Sequence, residues 1–321
     1  MKAASNNHIK GIVSLSLAML IFSLQGVAVK WIGGNYSIME IVLFRSIVAL
    51  PVTLLFYRYE GKQGLPISRQ PRLEYIRGFF LFLSYTTAFM ALAALPLAEV
   101  DAIRFSGPLM ITILSVLFLA EKVKLYRWVA LMIGFVGVLF IVRPGTATFN
   151  LGSVFALISV IFYAFSALLT RKLQATDSSA TQAYYSSLVY LIAALILNPL
   201  AFLIPQTTDT HPSIAFLLRA WQTPSLVDLL LMLGLGLIWA GGMYFVANAY
   251  SVAPASVVAP FEYVSLPIHV LWGVVFFQEI PLLATWIGAA LTVGSGLYIL
   301  YRDRQVQSVI TTLEPQASNS N

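Results

Sequence analysis

Ten long apolar stretches restrict the fold of this chain more than any other feature of its sequence. They lie near 11–32, 37–57, 73–94, 98–119, 126–142, 152–170, 181–203, 226–250, 255–277 and 284–301. Each approaches the length of about 20 apolar residues that a helix needs to cross a hydrocarbon core about 30 Å thick. Lipid satisfies no backbone polar group, and the stretches are too continuously apolar for the alternating strands of a membrane barrel. The sequence therefore predicts an all-α polytopic membrane protein with ten transmembrane helices.

The charged residues are too few to cover a water-soluble protein of this size. Only 10% of the 321 residues are charged and 59% are hydrophobic, so lipid is expected to cover much of the surface. Most of the 19 lysines and arginines fall in the leader, the tail and the loops on the same side as the N-terminus. By the positive-inside rule, this bias predicts a multi-pass protein of the cytoplasmic (inner) membrane with both termini cytoplasmic. The net charge of +6 is thus interpreted as a topology signal, and no nucleic-acid partner is expected.

The two halves of the sequence resemble each other. Matching residues in the same order are Gly11 with Gly152, Lys30 with Arg171, Pro96 with Pro254, Glu121 with Glu279 and Trp128 with Trp286. We interpret the chain as a polar leader (1–10), a five-helix repeat (11–145), a second five-helix repeat (152–302) and a polar tail (303–321). Because each unit has an odd number of spans, the repeats have opposite orientations in the membrane. Inverted repeats of this kind are typical of secondary transporters.

Four motifs in the first half identify a resemblance to a known family. They are LPLAEV at 95–100, FSGPL at 105–109, LAEKV at 119–123 and RPG at 143–145, and a weaker copy runs over 253–301. With these motifs and its five-plus-five layout, the chain resembles the EamA-type branch of the drug/metabolite transporter superfamily over about residues 10–302. The resemblance implies a cytoplasmic-membrane carrier with a central cavity between the two halves.

We therefore expect a secondary carrier that exports amino acids or related metabolites by alternating access. Uptake of a vitamin or a nucleoside-type cofactor, such as a riboflavin-like or S-adenosylmethionine-like compound, is the alternative within the same class. An intramembrane enzyme or a channel is the alternative from another class, but the sequence lacks a Walker loop and the His-Glu-x-x-His and Gly-x-Ser-x-Gly motifs. The expected partners are a small-molecule solute and the lipid bilayer. No catalytic residue, cofactor or metal is expected.

Charged residues inside the apolar stretches are the main candidates for a functional role, because a charge in hydrocarbon is costly. Arg104 and Glu262 align between the halves, each roughly 10 Å deep at 1.5 Å per residue, and we predict that they bind the two ends of a zwitterion. The alternative is local pairing, of Arg104 with Asp101 and of Glu262 with a backbone or tyrosine donor. Glu262 is also the candidate for proton coupling. Arg45 is expected to snorkel or bond to helix carbonyls, and Glu40 to lie in water.

Aromatic residues at mid-span or beside these charges are candidates for substrate binding or gating, since they can line a cavity or stack on a cation. They are Tyr85, Tyr163, Trp239, Tyr244 and Tyr263.

Four prolines at or inside spans four and nine are hinge candidates, because proline removes a helix hydrogen bond. They are Pro96, Pro108, Pro254 and Pro267, and a simple kink is the alternative for each. Small residues in spans five and ten, such as Gly134 and Gly288, predict close helix packing within the chain or in a homodimer.

Overall fold

A computed structural model of the chain describes residues 2–119, 125–145, 149–173, 176–201, 211–252 and 259–318. In this part of the chain, all regular structure is helical. The helices are α1 (Lys2–Ile32), α2 (Ile38–Tyr59), α3 (Pro71–Leu92), α4 (Leu97–Arg104), α5 (Gly107–Leu119), α6 (Leu125–Val142), α7 (Leu151–Leu173), α8 (Ser179–Ala201), α9 (Pro212–Leu218), α10 (Leu226–Val252), α11 (Ser265–Phe277) and α12 (Leu283–Ser318). A 3-10 helix (Ala259–Val264) leads directly into α11.

The helices have the lengths that a ten-span membrane protein requires. Eight segments among the described residues are long and apolar enough to cross a membrane, and two shorter apolar helices, Phe261–Phe277 and Leu283–Ile299, occupy the positions of spans nine and ten. The predicted all-α architecture with ten membrane helices is therefore confirmed, and the chain is a multi-pass membrane protein.

Spans four and nine are interrupted, whereas the sequence predicted continuous helices there. In span four, α4 ends at Arg104 and α5 begins at Gly107, which makes Pro108 the second residue of α5. In span nine, the 3-10 helix becomes α-helical at Ser265, and Pro267 is the third residue of α11. A proline is tolerated in the first turn of a helix but clashes with the carbonyl four residues earlier when it lies in the interior. Each break therefore falls where the proline requires a new helix start.

The remaining two hinge candidates have different positions. Pro96 is the N-cap residue of α4, where span four begins, and Pro254 lies outside the described residues.

The principal helix contacts join the first half of the chain to the second. Helix α1 packs against α10, α3 against α7, α2 against α8, α6 against α12, and α4 against α11. Exchanging the two halves converts the α1–α10 contact into the α3–α7 contact and leaves the α2–α8 and α6–α12 pairs unchanged. The interrupted helices α4 and α11 thus meet at the interface between the halves.

Small residues bring α6 and α12 into close contact within one chain. A Cβ atom added to Gly288 would lie 2.5 Å from the Gly137 carbonyl oxygen, and one added to Gly134 would lie 2.6 Å from Ser295 Oγ. Contacts this short exclude a side chain at either position. The predicted packing role of this stripe is confirmed within the chain.

The long loop between α8 and α10 contains a short helix that the sequence did not predict. Phe216 of α9 is buried, and the Arg219 guanidinium donates to the carbonyl oxygens of Gly33 and Tyr36. Nearby, the Tyr36 hydroxyl donates to Asp228 at 2.7 Å, and this hydrogen bond raises the pKa of the hydroxyl. The loop therefore covers the turn between α1 and α2.

Candidate functional site

Four aromatic side chains from three helices meet near the centre of the bundle. They are Tyr85 and Phe89 on α3, Tyr190 on α8 and Trp239 on α10, and we call them the aromatic cluster. The ring centroid of Trp239 lies 5.0 Å from that of Tyr85 and 5.8 Å from that of Tyr190. Separations of this size are typical of favourable edge-to-face and tilted aromatic pairs.

Arg45 lies inside the protein against this cluster. Its guanidinium carbon is 4.8 Å from the ring centroid of Tyr190, 5.1 Å from that of Trp239 and 5.9 Å from that of Phe89. Only 2% of the Arg45 surface is exposed, and among the described residues its Nη1 atom has no hydrogen-bond partner. A desolvated cation–π contact stabilises such a charge by about 2 kcal/mol. The unpaired N–H group still favours an anionic acceptor.

The sequence interpretation of Arg45 and Glu40 was therefore wrong. Arg45 does not extend to the interface, because the three rings cover it. Glu40 has no exposed surface and does not lie in water, since the loop after α9 covers the start of α2 and the Gln222 amide approaches its carboxylate at 3.5 Å.

Arg104 contacts another ring of the aromatic cluster, that of Tyr85. The Arg104 guanidinium carbon is 4.9 Å from the Tyr85 ring centroid. It is the last residue of α4, immediately before the break in span four, and it is half-buried. Two guanidinium groups thus contact the aromatic cluster.

Tyr163 connects Arg104 with the candidate from the second half, Glu262. The Tyr163 hydroxyl interacts electrostatically with Glu262, Tyr85 and Arg104, and its ring lies beside Gly107 at the start of α5, 3.5 Å from a Cβ placed there. Glu262 belongs to the 3-10 helix of span nine. The structure therefore brings Arg104, Glu262, Tyr85 and Tyr163 to one region, next to the two helix breaks.

Asp101 pairs with the second half of the chain. Its Oδ2 atom lies 2.9 Å from Nδ1 of His269 and 3.0 Å from Oγ of Ser265, both on α11. Arg104 also acts on Asp101 electrostatically, but the hydrogen bonds of Asp101 connect α4 to α11.

A network of ion pairs joins the two halves at the end of the bundle where α1 and α11 end. Lys30 forms an ion pair with Glu279 and donates to the Leu95 carbonyl oxygen at 2.9 Å. Glu279 also accepts from the Leu97 amide at 3.0 Å. Beside it, Glu99 accepts from Arg143 at 2.9 Å and from Thr285 at 3.1 Å. We call these seven residues the end network.

Two other aromatic candidates lie away from the aromatic cluster. Tyr244 stacks on Phe56 at a centroid distance of 5.1 Å, and it is 37% exposed. Tyr263 contacts Phe105 edge-to-face at 5.1 Å, so it packs between the two helix breaks. Of the predicted aromatic residues, only Tyr85 and Trp239 belong to the cluster, and Tyr163 lies beside it.

Sequence analysis missed Tyr190, Phe89 and the pairing of His269 with Asp101. Arg45 was the signal that pointed to the first two, because a charge in the middle of a span requires partners at the same depth. Among the described residues, no group of three His, Asp or Glu side chains is placed to hold a metal ion.

Comparison with protein families shows a match over almost the whole chain. The EamA-like transporter family matches residues 9–143 and again residues 150–301. A crystal structure of a protein with 18% sequence identity aligns over 90% of this chain and 96% of its own chain, with a TM-score of 0.60. That similarity concerns the fold alone.

Several curated relatives align from end to end and are named as transporters. The S-adenosylmethionine uptake transporter of Rickettsia prowazekii is 27% identical over 96% of this chain and 98% of its own length. The riboflavin transporter of Vibrio cholerae is 30% identical over 81% of each chain. The pseudopaline exporter CntI of Pseudomonas aeruginosa is 29% identical over 90% of this chain and 93% of its own.

Proposed function

This chain belongs to the EamA-like transporter family, and on that basis we propose that it is a secondary carrier for an amino-acid zwitterion that bears a flat ring. The proposed direction is uptake, and the proposed substrate is an S-adenosylmethionine-like cofactor. The family and the names of its relatives indicate a transporter of small organic solutes rather than an enzyme. The carrier works by alternating access between two similar halves. The sequence favoured amino-acid export, and the proposal instead adopts the uptake alternative.

The observation that supports this substrate class is the buried Arg45 guanidinium beside the aromatic cluster. Its Nη1 atom has no partner among the described residues, and a carboxylate would supply one in the bidentate geometry that guanidinium groups favour. The rings of Tyr85 and Trp239 offer faces and edges on which a planar base or a sulfonium cation can pack. An adenosyl amino acid carries all three of these groups.

Arg104 and Glu262 supply the second part of the proposed site. The Tyr163 hydroxyl interacts electrostatically with both, which supports a common position for them beside the aromatic cluster. In the proposal, Glu262 receives the ammonium group of the substrate and Arg104 holds its carboxylate together with Arg45. Pro108 and Pro267, next to the two breaks, remain hinge candidates for the movement between the outward-open and inward-open forms.

Export of a carboxylate-rich amino-acid derivative is the second candidate. It is supported by the presence of two guanidinium groups at one set of rings and by the name of the Pseudomonas relative. The two candidates differ in direction and in the number of carboxylates on the solute.

Counterflow in proteoliposomes tests the proposal. Purified protein is reconstituted, loaded with unlabelled S-adenosylmethionine, and given labelled S-adenosylmethionine, riboflavin, adenosine or single amino acids outside. We expect rapid exchange of S-adenosylmethionine at least tenfold above empty liposomes, with the solute recovered chemically unchanged. Exchange of plain amino acids but not of the adenosyl compound would contradict the substrate class, and chemical conversion of the solute would contradict the carrier function. Lys172→Ala, an exposed position on α7, serves as the control variant.

We also propose that the carrier lies in the cytoplasmic membrane with both termini in the cytoplasm, which the loop charges support. A phosphatase reporter fused after Arg304 should then be inactive, while the same reporter fused after Gly145 should be active, because that enzyme folds only outside the cytoplasm. The reverse pattern would contradict the orientation. A homodimer remains a prediction that cross-linking in the membrane can test.

A further inference from the structure

The contact between Asp101 and His269 has no part in the substrate binding proposed above. Asp101 lies on α4, one turn before the break in span four, and His269 lies on α11, one turn after the break in span nine. Their atoms Oδ2 and Nδ1 are 2.9 Å apart, and both side chains are largely buried, with 19% and 11% of their surfaces exposed. The pair thus joins the two interrupted helices across the interface between the halves.

The second ring nitrogen of His269 faces a different helix. A Cβ atom placed on Gly26 of α1 would lie 3.5 Å from Nε2, an ordinary van der Waals contact, so this edge of the ring lies against α1. Among the described residues, Nε2 has no hydrogen-bond partner. An imidazole held by a carboxylate at one nitrogen and unbonded at the other can accept and release a proton at the unbonded nitrogen.

The charged groups near the pair determine how protonation of His269 changes the local charge. Arg104, on the same helix as Asp101, acts on the pair electrostatically. Arg104 also interacts with Tyr163 on α7, which interacts in turn with Glu262 on the 3-10 helix and Tyr85 on α3. Glu99 on α4 and Lys30 on α1 are the other charged groups on the helices near the pair. Glu99 and Lys30 are neutralised by Arg143 and Glu279. A proton added to the imidazole places one positive charge beside the Asp101 carboxylate, at the interface between the halves. Because the energy of a charge in a low-dielectric region depends on its partners, the protonated and neutral forms of the pair should differ in how easily they cross between the two orientations.

We propose that the Asp101–His269 pair is the proton-coupling site of the carrier. One proton binds at Nε2 of His269 from the side with the higher proton concentration, the imidazolium stays paired with the Asp101 carboxylate while the halves exchange orientation, and the same proton leaves to the other side. No bond other than the N–H bond forms or breaks. The pair replaces Glu262, the candidate favoured by the sequence, in this role. The inference rests on the proposed carrier function.

His269→Gln is the decisive variant, because its amide can still donate to Asp101 but does not titrate. In proteoliposomes with an imposed pH gradient, wild-type protein should accumulate labelled S-adenosylmethionine, and His269→Gln should lower that accumulation at least tenfold while counterflow without a gradient stays within twofold. Asp101→Asn should also lose the accumulation. The matched control is His211→Gln in the loop before α9, which should accumulate normally.

Several results would overturn the coupling site. Normal accumulation by His269→Gln, loss of accumulation with retained exchange in Glu262→Gln alone, or a wild-type protein that exchanges but never accumulates would each do so. Absence of wild-type exchange would instead contradict the proposed substrate.

A histidine titration followed by NMR gives a readout that needs no substrate. The chain has only three histidines, so the His269 signal is identified by its absence in His269→Gln. The signal should change with pH and shift in Asp101→Asn, and a signal that does not change with pH would exclude proton binding at this residue. If His269→Gln also loses counterflow, this titration decides between a proton site and a purely structural contact.

Discussion

Replacing Arg104 with alanine should lower transport at least tenfold, with normal amounts of protein in the membrane. The guanidinium contacts the Tyr85 ring at the helix break, and its loss would remove one of the two guanidinium groups that hold the substrate carboxylate in a partly dry region. Leaving one partner of a buried ion pair without the other typically costs about 2 to 5 kcal/mol, and about 1.4 kcal/mol corresponds to a tenfold change in affinity. Glu262→Gln should have an effect of the same size through the substrate ammonium group. Initial uptake rates and counterflow in proteoliposomes measure both effects.

The charge-conserving variant Arg104→Lys separates charge from geometry. An ammonium group cannot form the two parallel hydrogen bonds of a guanidinium, so this variant should recover only part of the activity. Arg58→Ala, at an exposed position near the end of α2, is the control and should transport normally. Near wild-type exchange by both Arg104→Ala and Glu262→Gln would refute the zwitterion site.

Glu279→Gln should open the end of the bundle that the end network closes. The carboxylate of Glu279 is bound by Lys30 and by the Leu97 amide, so neutralising it removes an ion pair between the two halves. The chain has no native cysteine, so Ser23→Cys places a single thiol on α1 at a buried position. In this background, Glu279→Gln should raise the labelling rate by a membrane-impermeant maleimide at least tenfold from the side that this end faces.

Two further variants make the result specific. The charge exchange Lys30→Glu with Glu279→Lys should restore slow labelling in part, because the ion pair forms again while the contact with the Leu97 amide does not. Glu60→Gln, which removes an exposed ion pair with Lys62, should leave labelling unchanged. Equal labelling in the wild-type and Glu279→Gln backgrounds would show that the end network does not control access.

The sequence predicted the architecture well because the bilayer imposes it. Any helix that crosses the membrane needs a long apolar stretch, and α3, expected at 73–94, is observed at Pro71–Leu92. The family was also recognised correctly, since its motifs are local in sequence. The breaks in spans four and nine were not predicted. Pro108 and Pro267 indicated a bend, but hydropathy does not show where one helix ends and the next begins.

The candidate site was harder to predict because it is assembled from distant parts of the chain. Hydropathy identified Arg45, Arg104, Asp101 and Glu262 as unusual, but it contains no information on which rings or carboxylates lie opposite them. The contact of Asp101 with His269 and that of Lys30 with Glu279 both join separate halves. A repeat alignment matches equivalent residues, whereas these contacts are between residues that are not equivalent.

The position of Arg45 also has a consequence for biogenesis. Insertion of an arginine at the centre of a membrane helix costs about 2.5 to 3.5 kcal/mol, and the aromatic cluster offsets this cost only when all its members are present. Phe89 follows soon after Arg45 in the chain, but Tyr190 and Trp239 belong to the second half. At a synthesis rate of about 5 to 20 residues per second, the ribosome needs on the order of ten seconds to reach them. During that interval, α2 lies in the membrane while the Arg45 guanidinium lacks its contacts with Tyr190 and Trp239. Although the chain is built from two similar units, we therefore expect that the first unit does not fold as an independent domain.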